Sequence, residues 1–229
     1  MNFYGRAEKL ADIDLPRIGA IIGVGEDEIH AVIDVEARGG GFDKSGRPKM
    51  LFEPHIFYRQ LGPGPLQDEA VKQGLAYRRW GAKPYPRDSY PRLLQAIAID
   101  QGAAMRSASW GMGHIMGFNH AAAGYDGVFA MVAAFVHSEE SHLRAMGRFI
   151  ETNGLDDELR AHDWRGFARG YNGPGYAKHG YHIKLAKAYL KWAKIKDTPF
   201  TLDRSEPEQA DTAEQPTGLA AIIAAIMSF

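Results

Sequence analysis

The chain predicts an α+β fold that is predominantly α-helical with one small β-hairpin, and three observations carry this. Apolar residues recur at helical spacing in most segments between Asp14 and Lys194. Only residues 42–58 read as a turn followed by an extended segment. No period of roughly 20–50 residues recurs, which excludes repeat architectures. The 229 residues, 45% of them hydrophobic, suffice for one sizeable core, and no long polar tract interrupts the chain before residue 200. The organisation expected is a compact domain over 1–200, an acidic, proline-containing linker over 201–217 and a short apolar helix over 218–229.

Taken in order, a first helix is predicted with Asp14 as its cap, Pro16 in its first turn, Ile18, Ile21 and Ile22 on one side, and Gly23 as its stop. A second helix covers Glu26–Ala37, with Ile29, Val32 and Ile33 at helical spacing. Residues 42–58 turn at Ser45-Gly46 and then extend, because Phe52, Ile56, Phe57 and Tyr58 favour strands and Pro54 disfavours helix. Further helices are expected from Asp88, with Tyr90, Leu93, Leu94 and Ile97 buried, and from Asp126, with Val128, Phe129, Val132 and Phe135. Ser138 caps the next, which carries Leu143, Met146, Phe149 and Ile150 and stops at Gly154; shorter helices follow from Asp163 and over about Gly180–Lys194.

Composition narrows the chemistry. With no cysteine there is no disulfide, thiol nucleophile or thiolate metal site, so catalysis falls to oxygen or imidazole groups. A net charge of −1 gives no global basic field of the kind nucleic-acid binding needs. Arg78, Arg79, Lys83, Arg87 and Arg92 form one local basic stretch, read as a solvated helix face in preference to a polyanion-binding role. The N-terminal residues lack a basic-then-apolar export signal, so synthesis in the cytoplasm is expected. The terminal apolar stretch is about half the roughly 20 residues needed to cross a bilayer, so no stable membrane span is expected; a docking or oligomer helix is the favoured reading.

Glu36 is the carboxylate that needs explaining. It continues the apolar stripe of its helix and so points at the core or at a cleft, while Gly39, Gly40 and Gly41 stop the helix within a turn. Burial and the negative end of the helix dipole both disfavour its anion. By contrast, Glu26, Asp27 and Glu28 sit at the favourable positive end and need no functional role. Glu53, among apolar and aromatic neighbours, is a second candidate. Two carboxyls on opposite walls of a cleft, one protonated and one ionised, are what glycosidic bond cleavage requires. The other reading of Glu53 is a structural carboxylate bonded to backbone or to Arg47 or Arg59.

Two segments are dense in loop-forming and sugar-binding residue types. In the first, Ser107–Asn119, Gly111, Gly113 and Gly117 would let backbone approach a ligand. In the second, 168–176, a turn would present Tyr171 and Asn172, and an aromatic face with an amide is a common grip on a pyranose ring. Trp110 and Tyr171 can equally be core aromatics. Glu139 and His142 have E-x-x-H spacing on one helix, which admits a metal-dependent hydrolase or, more simply, a solvated surface.

The strings AVIDVEARGGGF, GRPKMLFEPHIFYRQL, SASWGMGHIMGFNHAAAGY and DWRGFARGYNGPGYA, in this order, resemble the N-acetylmuramidase domain of phage endolysins and related bacterial proteins, over about residues 10–195. The resemblance implies a lysozyme-like fold and hydrolysis of the β-1,4 bond between N-acetylmuramic acid and N-acetylglucosamine in peptidoglycan, with no cofactor and no metal. It extends to soluble lytic transglycosylases, goose-type lysozymes and plant-type chitinases. In that pattern a catalytic Glu ends a core helix, a Gly-rich loop lines the cleft and a Tyr-Asn turn closes it. Glu36 matches the helix-end acid and Glu53 the second Glu of the chitinases. Trp110 to Met116 match the Gly-rich loop and Tyr171 and Asn172 the closing turn, and the substrate-binding residues expected are Ser109, Trp110, Gly111, His114, Ile115, Asn119, Tyr171 and Asn172. His114 stands where the pattern has Gln, so pH dependence near neutrality could differ.

Three readings follow: a muramidase using Glu36 and Glu53; a lytic transglycosylase acting on the same bond; and a non-catalytic peptidoglycan-binding module. The implied partner is the peptidoglycan glycan strand, not nucleic acid. Action at the cell wall, in the periplasm, requires holin-dependent release or delivery by a secretion system, the latter with an immunity protein; the sequence leaves the route open.

Overall fold

The computed structural model describes residues 3–37 and 39–201. The linker expected over 201–217 lies outside the described residues from 202 onward, and the apolar helix expected over 218–229 lies outside them altogether.

Among the described residues the chain forms twelve α-helices and one three-stranded antiparallel sheet. Helix α1 (Asp14–Ile22) ends at Gly23, which takes a left-handed conformation at φ 72°. Asp14 is the first helical residue, not the cap: its carboxylate accepts from Ala11 N and pairs with Arg17. Helix α2 (Glu26–Glu36) places Ile29 and Val32 wholly out of solvent. Each side chain contributes about 2 kcal/mol of burial. After α2 comes strand β1 (Met50–Phe52), shorter than expected, because helix α3 (Pro54–Leu61) takes over at once. The proline opens this helix instead of blocking it. At the first helical position its missing N–H has no intrahelical partner to lose and its fixed φ suits the turn.

Helices α4 (Pro65–Lys72), α5 (Tyr90–Ile97) and α6 (Gln101–Arg106) follow. Arg78, Arg79, Lys83 and Arg87 lie in the irregular, largely exposed segment between α4 and α5, and only Arg92 is helical. The hairpin lies further on than expected: β2 (Ala108–Trp110) turns back into β3 (Ile115–Met116), and β1 joins as the third strand, with Met50 opposite Trp110 and Phe52 opposite Ala108. A single 3₁₀ turn (Gly117–Asn119) leads to α7 (Val128–Phe135). Helix α8 (Glu139–Thr152) is capped by Ser138, whose hydroxyl accepts from Ser141 N. Next are α9 (Asp156–Arg160), α10 (Trp164–Asn172), capped by Asp163, then α11 (Tyr176–His179) and α12 (Tyr181–Trp192).

Apolar side chains gather in two clusters. One holds the sheet with α3 to α7 around Phe52, Phe57, Trp110, Met131 and Phe135. The other holds α1, α2, α8, α10 and α12 around Ile29, Val32, Leu143, Met146, Phe167 and Leu185. Helix α8 serves both, with Ala145 in the first and Leu143, Met146 and Ile150 in the second. Tyr171 packs against both. Helix α12 clamps α2: His30 stacks on Trp192 at 3.7 Å, and Asp34 accepts from Lys191 Nζ and Trp192 Nε1. The acid at the end of α2 is therefore mounted on a helix held along its length.

Candidate active site

Helix α2 ends at Glu36 itself, and the turn beyond it is left-handed at Gly39 and Gly40. The Glu36 residue is 9% exposed, so it is neither free in solvent nor sealed from it. Asn172 Nδ2 donates to Glu36 Oε1 at 2.9 Å. Asn172 and Tyr171 are the last two residues of α10, not part of a turn as expected; Gly173 ends the helix behind them. Tyr171 stacks on Phe167 and meets Phe149 edge-on, and its hydroxyl donates to Gly113 O at 3.0 Å. Desolvation, and then the charge of Glu36, hold the Tyr171 phenol well above its ordinary range, so it serves as a fixed donor. Asn172 Oδ1 is buried and has no hydrogen-bond partner among the described residues.

Lys49 ties the end of α2 to the opposite wall, and sequence reasoning missed it. Its Nζ donates to Ala37 O at 2.9 Å, its N–H to Gly41 O at 2.7 Å, and its carbonyl accepts from Gly111 N at 2.8 Å. One residue thus joins the α2 terminus, the 39–41 turn, the start of β1 and the Gly-rich loop. Beneath these loops lie Glu139 and His142. Glu139 accepts from Gly41 N at 2.7 Å, Leu10 N at 3.2 Å and Lys9 Nζ at 2.9 Å, and these donors hold its carboxyl below the usual range against the cost of burial. His142, 0% exposed, bonds through Nε2 to Phe135 O at 2.7 Å, and burial pushes it down to about 4. The E-x-x-H pair is not solvated surface: Glu139 is taken up by three donors and His142 Nε2 by Phe135 O, while His142 Nδ1 is buried with no hydrogen-bond partner among the described residues. Among the described residues no cluster of three or more potential metal ligands occurs.

The Gly-rich loop is glycine-rich for packing against protein. A Cβ at Gly111, where φ is +68°, would lie 2.9 Å from the Phe135 ring and 3.0 Å from His142; one at Gly113 would lie 2.8 Å from the Tyr171 hydroxyl; one at Gly117 would collide with Met105 O. Trp110 is 0% exposed, donates its indole N–H to Met105 O and packs against Phe3 and Tyr90, so it is a core aromatic and not a sugar platform. Ser109 and Ile115 are likewise buried in the strands, facing Leu51 and Trp110 across the sheet, and build the site without lining it. Asn119 is half-buried in the 3₁₀ turn. His114 is exposed at the hairpin tip with a left-handed φ of 48°. Desolvation, and then the charge of Lys49, still hold it below the ordinary imidazole range. The imidazole is therefore neutral at pH 7.

Glu53 sits at the far end of β1, as the residue before α3. Its side chain is 14% exposed, and its partners are not the arginines expected. The Tyr85 hydroxyl donates to Oε2, and His55 Nδ1 lies 3.2 Å from the same oxygen. Arg47 pairs instead with Asp43 and Asp88, and Arg59 bonds its own helix at His55 O. Tyr85 was also missed, although Pro84 and Pro86 on either side mark a stiff extended tripeptide that presents it.

A carboxyl at the end of a core helix, linked through Asn172 and its neighbour Tyr171 to a glycine-rich hairpin of a small three-stranded sheet, fits a glycan-cleaving enzyme of the lysozyme type. Comparison makes this specific. The family model for N-acetylmuramidase matches residues 26–193. The chain belongs to the N-acetylmuramidase family and is a peptidoglycan-cleaving glycoside hydrolase. Among solved structures, the crystal structure of a Burkholderia AP3 phage endolysin is 36% identical in sequence, with a TM-score of 0.74, covering 82% of this chain and 73% of that one. No curated protein matches.

Proposed function

We propose that Glu36 is the general acid of this muramidase, protonating the glycosidic oxygen between N-acetylmuramic acid and N-acetylglucosamine. The observation that carries the reading is the Glu36–Asn172 hydrogen bond at 2.9 Å, which orients a nearly buried carboxyl at a helix end while leaving it solvent contact. Its amide partner carries no charge, so it can serve both protonation states of the acid. Asn172 Oδ1, buried and unfilled, is a ready acceptor for an acetamido N–H or a sugar hydroxyl of the bound glycan. Tyr171 fixes Gly113 and with it the hairpin tip, where neutral His114 can donate to or accept from the sugar.

Glu53 acts on the other side of the bond, positioning water or stabilising positive charge at the anomeric carbon. Oε2 takes the Tyr85 hydroxyl, and no hydrogen bond reaches Oε1 among the described residues, which leaves that oxygen for a water. The setting for this chemistry is the cell wall, as an endolysin released through a holin or an effector delivered by a secretion system and matched by an immunity protein. Likeness to a phage endolysin supports the first route. No helix of the described residues is long and apolar enough to cross a membrane.

Digestion of purified sacculi, read by mass spectrometry, tests the reading. Wild type should release fragments with reducing N-acetylmuramic acid ends, and Glu36→Gln, equally folded, should release none. Products ending in 1,6-anhydro sugars would replace hydrolysis by transglycosylation, and an active Glu36→Gln protein would remove Glu36 from the acid role.

A further inference from the structure

The segment between α4 and α5 has a composition and an anchoring that cleavage of the glycan does not explain. Residues 70–87 carry Lys72, Arg78, Arg79, Lys83 and Arg87 and no acidic residue. Asp88, which follows, faces Arg47. Among the described residues Arg79, Lys83 and Arg87 have no carboxylate within ion-pair distance. At the tip, Trp80 is 70% exposed, the most exposed large apolar side chain among the described residues.

An isolated surface tryptophan or a few free cations would be ordinary. Here the two coincide on an arm whose root is fixed. Tyr77 N donates to Pro54 O, Arg78 Nε to the Tyr58 hydroxyl at 3.1 Å, and the Tyr85 hydroxyl to Glu53. Three clips to Glu53 and α3 therefore hold the root of the arm beside Glu53, with residues 79–84 exposed to solvent.

We infer that this arm binds the stem peptides of peptidoglycan through their carboxylates, a second contact beside the glycan groove. This rests on the muramidase reading above. The occupant follows from charge and place. Glycan strands offer no anionic group other than those borne on their lactyl ether and peptide branches, and these branches leave the sugar chain sideways, beside the groove and not in it. Guanidinium groups match carboxylates in geometry, and the indole offers an apolar face to the peptide or to the sugar that bears it.

The test uses the full chain and its Arg79→Gln/Trp80→Ala/Arg87→Gln variant, all exposed positions. The substrates are sacculi free of phosphate polymers and the same sacculi with their stem-peptide carboxylates blocked as methylamides. The preference of wild type for unblocked over blocked wall, read as a ratio of kcat/KM values, should fall about tenfold in the variant. The loss should lie in KM, and raising salt from about 50 to 500 mM should reproduce most of it in wild type. An unchanged ratio, a loss carried by kcat, or an effect indifferent to salt overturns the inference. Sedimentation with both substrates in a Glu36→Gln background separates this from failure of the muramidase reading. Binding to unblocked wall that needs the arm supports the inference even where no fragment is released, and equal binding with and without the arm refutes it even where fragments are released.

Discussion

Glu36 and Glu53, the two carboxyls proposed for catalysis, stand on opposite kinds of support. Glu36 ends a helix clamped by α12 and tied at its last turn through Lys49, and a neutral amide donates to it. Glu53 precedes a helix on the sheet side, and its partners are a phenol and an imidazole that converge on a single oxygen, the phenol reaching in from an exposed arm. Under the roles proposed above, position and not residue type separates the two: the general acid sits at the end of a clamped helix with an amide donor, and its counterpart sits beside a phenol and an imidazole, closer to solvent.

The comparison can be broken most directly at Glu36. Glu36→Gln should lower turnover of sacculi by about 10³-fold with the melting temperature moved by less than ~3 °C, because a general acid contributes on that order and the amide keeps the shape. Glu53→Gln should cost less, about 10²-fold in kcat, checked by the same turbidity assay; a loss as large as that of Glu36→Gln would mean that the two groups act as one unit.

Acid should sharpen the contrast between the two walls. His142, with a folded value near 4 against an ordinary 6.5, binds its proton in the unfolded chain first, so stability falls as pH drops from about 6.5 to 4 and levels off below. The size is about 3 kcal/mol at the most acid end. Because His142 packs under Gly41 and Gly111, amide exchange at these residues should rise before that of α3, and His142→Gln should flatten the slope of melting temperature against pH. Glu139 is the converse case: its lowered carboxyl adds stability above about pH 4.5, lost only as pH falls through its folded value. The smallest effect is expected for Tyr171→Phe, which removes one hydrogen bond to Gly113 O and should cost about 1 kcal/mol in stability by denaturant unfolding, with a few-fold rise in KM.

What the sequence shows and hides divides along physical lines. Ser138 and Asp163 are legible as caps because the signal is local: a small polar side chain three residues before the backbone N–H it accepts from. Glu36 is legible because one polar residue on an apolar stripe stands out, and burial follows from helical geometry alone. Pro54 misleads because the same residue is forbidden inside a helix and favoured at its first position. The β2–β3 hairpin hides because its strands are two and three residues long, too short for alternation to register, and the third strand arrives from more than fifty residues away. Glu139 and His142 look like surface because periodicity does not tell that α8 is covered on both of its sides. Lys49 and Tyr85 depend on contacts across the fold, 12 and 32 residues distant in sequence, that no local pattern encodes.

The family match begins at residue 26, yet the strap ahead of it is wired into the machinery. Phe3 fills the space between Tyr90 and Trp110, and Leu10 N together with Lys9 Nζ occupies the carboxylate that also grips Gly41. A protein engineered down to the family boundaries would therefore lose a hydrophobic plug and two of the three donors on Glu139, loosening the turn just past Glu36. For anyone grafting this lytic unit onto another carrier, the safe cut lies before Phe3.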